Sequence, residues 1–239
     1  SKATKMFMEW KNKNTSKNGI IKENSGHQKH AWYIRTNDKV QSVFKKILKT
    51  NDIITSFDGS CYMDKDYENT SYWTHVDQRS DNTNFMCYQS FVSLTENKEK
   101  TFILIPGSHL LYDEYVKKYN ITTKKNFHII EQDYIKDMSY IKIHVHPGTM
   151  VIWDSRIFHQ NTTGTKNEEV RIVQYISFMP KYHQKNTKEN KEKRKYAFDN
   201  KITTTHWCYP VKLASNPSIN TEFDVNLNEY YPKLLDILN

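Results

Sequence analysis

Six short stretches rich in β-branched and aromatic residues recur through the middle of the chain, each bounded by turn-forming residues. They are IITSFD (53–58), MCYQSFVSL (86–94), TFILIP (101–106), YIKIHVH (140–146), TMVIWD (149–154) and VRIVQYISF (170–178). Such residues fit a pleated, half-buried surface, and the lengths are those of ordinary strands. YIKIHVH alternates, with Ile141, Ile143 and Val145 on one side and Lys142, His144 and His146 on the other. HPGT at 146–149 reads as a tight turn between two strands. No long helices alternate with these strands, which argues for a sandwich or barrel with its helices segregated to one side. The clearest helix is NDKVQSVFKKILKT (37–50), where Val40, Val43, Phe44, Ile47 and Leu48 make one stripe and Asn37 or Asp38 is the cap. PGSH (106–109) ends a strand and starts a short helix to about Lys118, and a late amphipathic piece at roughly 226–238 is expected to pack outside.

At 239 residues and 37% hydrophobic content, the chain can bury one large core. Residues 1–30 are polar and aperiodic and read as a weakly structured lead-in, leaving 31–239 as the folded domain. A charged stretch without apolar periodicity, at about 181–205, reads as an insert in that domain.

The net charge of +8 is concentrated. Residues 1–30 and 181–196 each hold seven basic residues against two glutamates, so everything else sums to about −2. Solvated loops account for this, and the alternative is a basic arm or lid touching phosphates. In 181–196 only Tyr182 and Tyr196, at its two ends, could stack on bases, so a nucleic-acid partner is the lesser expectation. Three cysteines at wide spacing (Cys61, Cys87, Cys208) fit an intracellular, reducing compartment rather than a disulfide framework. No stretch approaches the roughly 18 apolar residues of a membrane span, and no apolar signal segment is read at the N-terminus. No membrane partner is expected.

SYWTHVDQRS (71–80) places His75 and Asp77 on either side of Val76. In a strand, residues i and i+2 point the same way, so the imidazole and carboxylate project together. His159 follows the strand TMVIWD, and Arg171 lies twelve residues later inside VRIVQYISF. Two imidazoles and one carboxylate can form the facial triad of non-haem Fe(II) oxygenases, leaving three adjacent positions for a bidentate 2-oxo acid and O₂. An arginine among apolar strand residues needs a carboxylate partner, and its planar fork fits the distal carboxylate of 2-oxoglutarate. Each residue also has a plainer reading: His75 and Asp77 as surface, His159 as a hydrogen-bonded structural histidine, Arg171 as a strand residue with its stem packed inward. His144 and His146 share a strand face, but no carboxylate follows at ligand spacing, so they read as surface.

AWYIRTNDKV, SFDGSCYM, WTHVDQ, CYQSFVSLT, IPGSHLLYDEY, HPGTMVIWDSRIFHQN and VRIVQYISF occur in that order. Over roughly residues 31–210 the chain resembles the phytanoyl-CoA dioxygenase-like family of Fe(II)/2-oxoglutarate-dependent oxygenases. The resemblance implies a mainly β fold with flanking helices, the double-stranded β-helix (a cupin-like jelly roll). It implies His75, Asp77 and His159 as iron ligands, Arg171 as the 2-oxoglutarate anchor, and Fe(II), 2-oxoglutarate and O₂ as the reacting set. The implied reaction is hydroxylation of an unactivated C–H bond of a small molecule, with succinate and CO₂ as coproducts. Related halogenases lack the carboxylate ligand; Asp77 is retained, which favours hydroxylation.

Gln89 is a further candidate, reaching the iron-bound end of 2-oxoglutarate or making a cross-strand hydrogen bond. Trp153 and Ser155 are expected to shape the strand before His159, and Trp153 also suits core packing. Arg79 and Arg156 could meet an anionic substrate or face solvent; Tyr72, Trp73 and Trp207 could line the mouth or fill the core. His109 suits a helix start better than a ligand, and TTTHWCYP (203–210) is expected to be ordered and to close over the site. Two alternatives stand beside this reading: an oxygenase acting on nucleic acid or a protein side chain, and a non-catalytic jelly-roll binding module. The presence of all four key residues favours an enzyme.

Overall fold

The computed structural model describes residues 1–10, 19–162, 164–217 and 233–238. Each of the six strand-like stretches contains a strand, shorter than its sequence window. In chain order the strands are β1 (Ile20–Ile21), β2 (Ile53–Thr55), β3 (Ser60–Met63), β4 (His75–Val76), β5 (Tyr88–Ser93) and β6 (Phe102–Leu104). β7 (His128–Ile129), β8 (Ile141–Lys142), β9 (Met150–Asp154), β10 (His159–Asn161), β11 (Arg171–Ile176) and β12 (Phe178–Pro180) follow. The helices are α1 (Lys2–Trp10), α2 (Lys29–Arg35), α3 (Asp38–Leu48), α4 (Tyr112–Lys118), α5 (Gln132–Ile135), α6 (Lys188–Asp199) and α7 (Lys233–Asp236).

One five-stranded sheet runs β1-β3-β11-β5-β9 and another β7-β4-β10-β6-β8, with β2 and β12 paired separately. The named pairings are antiparallel. Phe91, Trp153, Val173 and Tyr175 of the first sheet pack with Phe102 of the second, so the two sheets face one another. β11 is buried along its whole length. Val173 and Tyr175 point between the sheets, whereas Ile172 and Ile176 pack outward with Trp32, Ile34 and Phe44 of the helices. Burial on both faces removes the polar alternation that a half-exposed strand would show. Helix α4 covers the second sheet, with Tyr112 and Tyr115 against Val76, Ile105 and Phe158.

α3 forms where expected. The Asn37 side chain accepts from Lys39 N at 3.0 Å, and Lys49 closes the helix in the left-handed conformation. Its stripe is narrower than the sequence pattern implies, for Phe44 is fully buried whereas Val43 and Ile47 are exposed.

Three stretches depart from expectation. Within residues 1–30, the described parts are anchored to the core: α1 seats Phe7 there, and the Phe7 ring meets His30 edge-on at 5.0 Å. Ser25 and His30 are buried and hydrogen-bond the Ser60 hydroxyl at 2.7 and 3.0 Å. Polar residues anchored this way leave no trace in a hydrophobic pattern. The charged stretch at 181–205 contains α6, capped by Thr187, whose side chain accepts from Asn190 N. Its buried face holds only Arg194 and Ala197, and Arg194 donates to Asn186 Oδ1 at 3.0 Å and Cys208 O at 2.9 Å. Of the late amphipathic piece, residues 226–232 lie outside the described residues. Its end does not pack outside, because Ile237 and Leu238 are in the core and Ile237 O accepts from Thr55 N.

Cys61, Cys87 and Cys208 are free and buried. Among the described residues, no helix is long and apolar enough to cross a membrane.

Candidate active site

β4 and β10 lie side by side in the second sheet with His75 directly opposite His159. This register brings the two imidazoles to 4.3 Å between ring centroids. Val76 turns to the α4 side of the sheet, and Asp77, just past the strand, returns to the side of His75. Asp77 Oδ2 lies 3.7 Å from His75 Nε2 and 3.4 Å from His159 Nε2. All three residues are buried, and one ligand atom from each lies within 4.8 Å of the other two.

The orientation of the rings is what makes this a donor set. His75 Nδ1 bonds Trp73 O at 3.0 Å, and His159 Nδ1 bonds Ile157 O at 2.8 Å. A carbonyl accepts, so each Nδ1 carries the proton and each Nε2 presents a lone pair toward Asp77. Fixing the tautomer through the other ring nitrogen is how proteins prepare histidine as a metal ligand. Trp73 stacks on His75 with centroids 4.6 Å apart, while Phe102 and Trp153 flank His159.

Burial acts to raise the Asp77 carboxyl, but His206, donating from Nε2 to Oδ2, leads the interactions that outweigh it and hold it well below the usual carboxylate range. Burial lowers His159, and neighbouring His75 lowers it further. Asp77 is therefore an ionised carboxylate and His159 a neutral imidazole, protonation states that bind a divalent metal.

Gln89, on β5, is fully buried. Its Nε2 donates to Asp77 Oδ2 at 3.4 Å, and its Oε1 accepts from Trp153 Nε1 at 2.9 Å, so its amide braces Asp77 against the core. Arg171 is fully buried on β11, its guanidinium 5.4 Å from the Phe91 ring centroid. Nη1 donates to Asn161 Oδ1 at 2.6 Å, whereas Nε and Nη2 have no hydrogen-bond partner among the described residues. Leaving buried guanidinium donors unpaired is costly, and a carboxylate accepting both would satisfy them.

The remaining positions divide clearly. Ser155 Oγ donates to Gln78 Oε1 at 2.7 Å. Arg156 is paired in a bidentate manner with Asp154, and Arg79 with Asp81. Tyr72 is exposed. Trp73 and Trp207 line a cavity of about 260 Å³ that contains His75 and Asp77. His109 lies in a 3₁₀ turn at Ser108–Leu110, outside the donor set. His144 and His146 are at the surface, but a carboxylate does meet them: Glu96, 48 residues before His144, bonds both rings.

TTTHWCYP is ordered and forms one wall of the cavity through Thr204, Thr205, His206 and Trp207. Sequence reading missed His206, which donates from Nε2 to Asp77 Oδ2 at 2.8 Å. Its place is set by long-range contacts, among them the Thr204–Leu213 bridge and Thr204 N donating to Phe57 O. The only local signal was a histidine in an ordered-looking stretch beyond a charged one.

The facing sheets and buried His-Asp-His set define a double-stranded β-helix with a candidate metal centre between its sheets. Residues 7–168 match the family model for phytanoyl-CoA dioxygenase (PhyH). The chain belongs to this family of Fe(II)/2-oxoglutarate-dependent oxygenases. The match takes in His75, Asp77 and His159 and stops before Arg171 and His206.

A curated relative, Ava biosynthesis cluster protein O of Aspergillus versicolor, is 27% identical over 198 residues, which is 75% of this chain and 63% of that protein. The chain thus spans less than two thirds of that relative's length. HygX from Streptomyces hygroscopicus, solved with nickel and 2-oxoglutarate bound, superposes with a TM-score of 0.51 at 10% identity over 76% of both chains. The epimerase SnoN, solved with Fe³⁺, α-ketoglutarate and nogalamycin RO, gives 0.50 at 13% identity over 75% of this chain and 72% of its own. Both likenesses establish the fold.

Proposed function

We propose that this protein is an Fe(II)/2-oxoglutarate-dependent oxygenase that hydroxylates a C–H bond of a small molecule held in the cavity beside His75 and Asp77. The observation that carries this reading is the anchoring of both imidazole Nδ1 atoms to backbone carbonyls, which turns both Nε2 lone pairs toward one carboxylate. His75, Asp77 and His159 would hold the iron. Arg171 would bind the distal carboxylate of 2-oxoglutarate through Nε and Nη2, the two donors without a protein partner. When bound, the iron and 2-oxoglutarate supply the oxidising power, O₂ being consumed as 2-oxoglutarate becomes succinate and CO₂. Gln89 and His206 keep Asp77 ionised and oriented by donating to Oδ2. Their hydrogen bonds are a reason for Asp77 to stay fixed whether or not substrate is present.

Substrate recognition falls to the cavity. Trp73, Phe127 and Trp207 give it aromatic walls. Trp73 Nε1, Thr205 Oγ1 and both side-chain polar atoms of Asn126 are buried there without a partner among the described residues. A compact molecule with a flat apolar face and several hydrogen-bonding groups suits that lining. The nucleic-acid reading remains the lesser one, since part of the basic run of α6 is engaged within the protein. Lys188, Lys193 and Lys195 pair with Glu192, Glu189 and Asp199, and Arg194 is buried. The three buried thiols suit a reducing, intracellular setting.

The test is succinate release from 2-oxoglutarate in the presence of Fe(II) and O₂, against small ring-containing metabolites, single-stranded oligonucleotides and peptides. Stimulation by small metabolites alone supports the reading. Stimulation by oligonucleotides, falling steeply with salt, would overturn the substrate class.

A further inference from the structure

His144 and His146 follow β8 in extended chain, two residues apart and on one face, with ring centroids 4.5 Å from each other. Glu96 reaches them from the turn after β5. Its carboxylate bonds His144 Nε2, and it lies 2.9 and 3.1 Å from His146 Nδ1 through Oε1 and Oε2. We propose that Glu96, His144 and His146 form a second metal site, distinct from the candidate iron centre, which takes one late first-row divalent ion, zinc foremost.

Three observations carry this. The donor atoms already converge, one from each residue lying within 4.8 Å of the others. Ligands bonded at 2.0–2.1 Å to a common ion stand about 3 Å apart, so the observed carboxylate–imidazole separations need only small adjustment. The backbone presenting the donors is pinned on both sides. Asn97 N donates to Val145 O and Val145 N to Asn97 O, both at 2.9 Å; Val145 sits between the two histidines and Asn97 directly follows Glu96. Asn97 is itself buried, accepting from Ser93 Oγ at 2.7 Å and donating to Glu96 O at 2.8 Å. Gly148 N donates to Ser93 O, which fixes the far side of the histidine segment.

The donor chemistry selects the ion. Two imidazoles and a carboxylate suit zinc, nickel or copper, whereas magnesium and calcium prefer oxygen ligands alone. The side chains are 47%, 68% and 48% exposed for His144, His146 and Glu96, so an ion can enter and complete its shell with water. The site stands apart from the catalytic one. Gln89 braces Asp77 near the start of β5, and Ser93, four residues along, holds Asn97. Four strand residues span about 13 Å. A bound ion would clip the turn after β5 to the β8–β9 connection, stabilising that end of the barrel without touching the reaction.

The experiment is a Zn²⁺ titration of the metal-free protein, read by calorimetry and repeated with Co²⁺ to follow its visible absorption. It compares the wild type with His144→Ala/His146→Ala, Glu96→Gln and His75→Ala/Asp77→Ala. One equivalent is expected to vanish in His144→Ala/His146→Ala and to survive in His75→Ala/Asp77→Ala. Glu96→Gln is expected to weaken that equivalent by at least about tenfold. The surviving equivalent should also raise the melting temperature of His75→Ala/Asp77→Ala. The proposal is overturned if His144→Ala/His146→Ala, folded as the wild type by circular dichroism, loses no equivalent. Failure of the catalytic centre would instead show as a wild type binding one equivalent, lost on changing His144 and His146.

Discussion

His206 Nε2 stands 2.8 Å from Asp77 Oδ2, nearer than His159 at 3.4 Å or His75 at 3.7 Å. Of the three imidazoles around that carboxylate it alone lies outside the donor set, and it comes from the cavity wall 129 residues away. Outer partners of this kind tune metal affinity about 10–100-fold. His206→Phe should weaken Fe(II) binding by that factor in an anaerobic equilibrium measurement, and His206→Gln, which can still donate, should recover most of it. Unchanged affinity in His206→Phe would assign His206 to the cavity wall alone.

Arg171 meets one side-chain acceptor, Asn161 Oδ1, and keeps two buried donors without a partner. Hydrogen bonds to charged groups contribute about 1.5–3 kcal/mol each, so losing a two-point contact should weaken 2-oxoglutarate by about 10²-fold or more. Arg171→Met should show this in calorimetry while leaving Fe(II) binding intact, and Arg171→Lys should fall between. Equal 2-oxoglutarate affinity in wild type and Arg171→Met would remove Arg171 from the co-substrate site.

Phe7 is fully buried, packed against His30 and Tyr62. Truncating a buried phenylalanine typically costs about 3–5 kcal/mol. Phe7→Ala should lose an amount in that range in urea unfolding, whereas exposed Met8→Ala should be nearly neutral. A neutral Phe7→Ala would mean that α1 is not part of the cooperative fold.

Buried histidines should make the protein acid-sensitive. Burial lowers His30 to about 3 and His128 to about 4, and holds His27 well below its ordinary value. Each stays neutral when folded but protonates near 6.5 when unfolded. Their contribution is therefore complete above about pH 6.5 and is lost as pH falls toward 3, with a slope of up to about 1.4 kcal/mol per pH unit for each group. Asp58 opposes this. Burial raises its carboxyl to about 6, so its contribution declines as pH rises from about 4 to 6. His206, raised by Asp77 against its own burial, also opposes, but His159 and His183 are lowered like the first three, so denaturation midpoints should fall from pH 7 to pH 5. His128→Phe should flatten that decline; an unaltered pH profile would show that His128 titrates normally.

What could be read from sequence alone was local. His75 and Asp77 share a side because strand geometry puts i and i+2 together. Helix α3 announced itself through its cap and stripe. Contacts made across the chain were illegible. His206 reaches Asp77 from 129 residues away, and Glu96 meets His144 from 48 away, with nothing in either segment naming its partner. α1 and α6 were missed for another reason. Each buries only two residues, Ala3 and Phe7 in one and Arg194 and Ala197 in the other, too few to make a periodic apolar signal.

The most direct measurement is an anaerobic titration of the metal-free protein with Fe(II) and 2-oxoglutarate, followed by the visible metal-to-ligand charge-transfer band. The band should appear in wild type, vanish in His75→Ala and weaken in Arg171→Met at equal 2-oxoglutarate. A wild type that binds both partners without the band would contradict the chelate geometry, and one that binds neither would contradict the oxygenase reading itself.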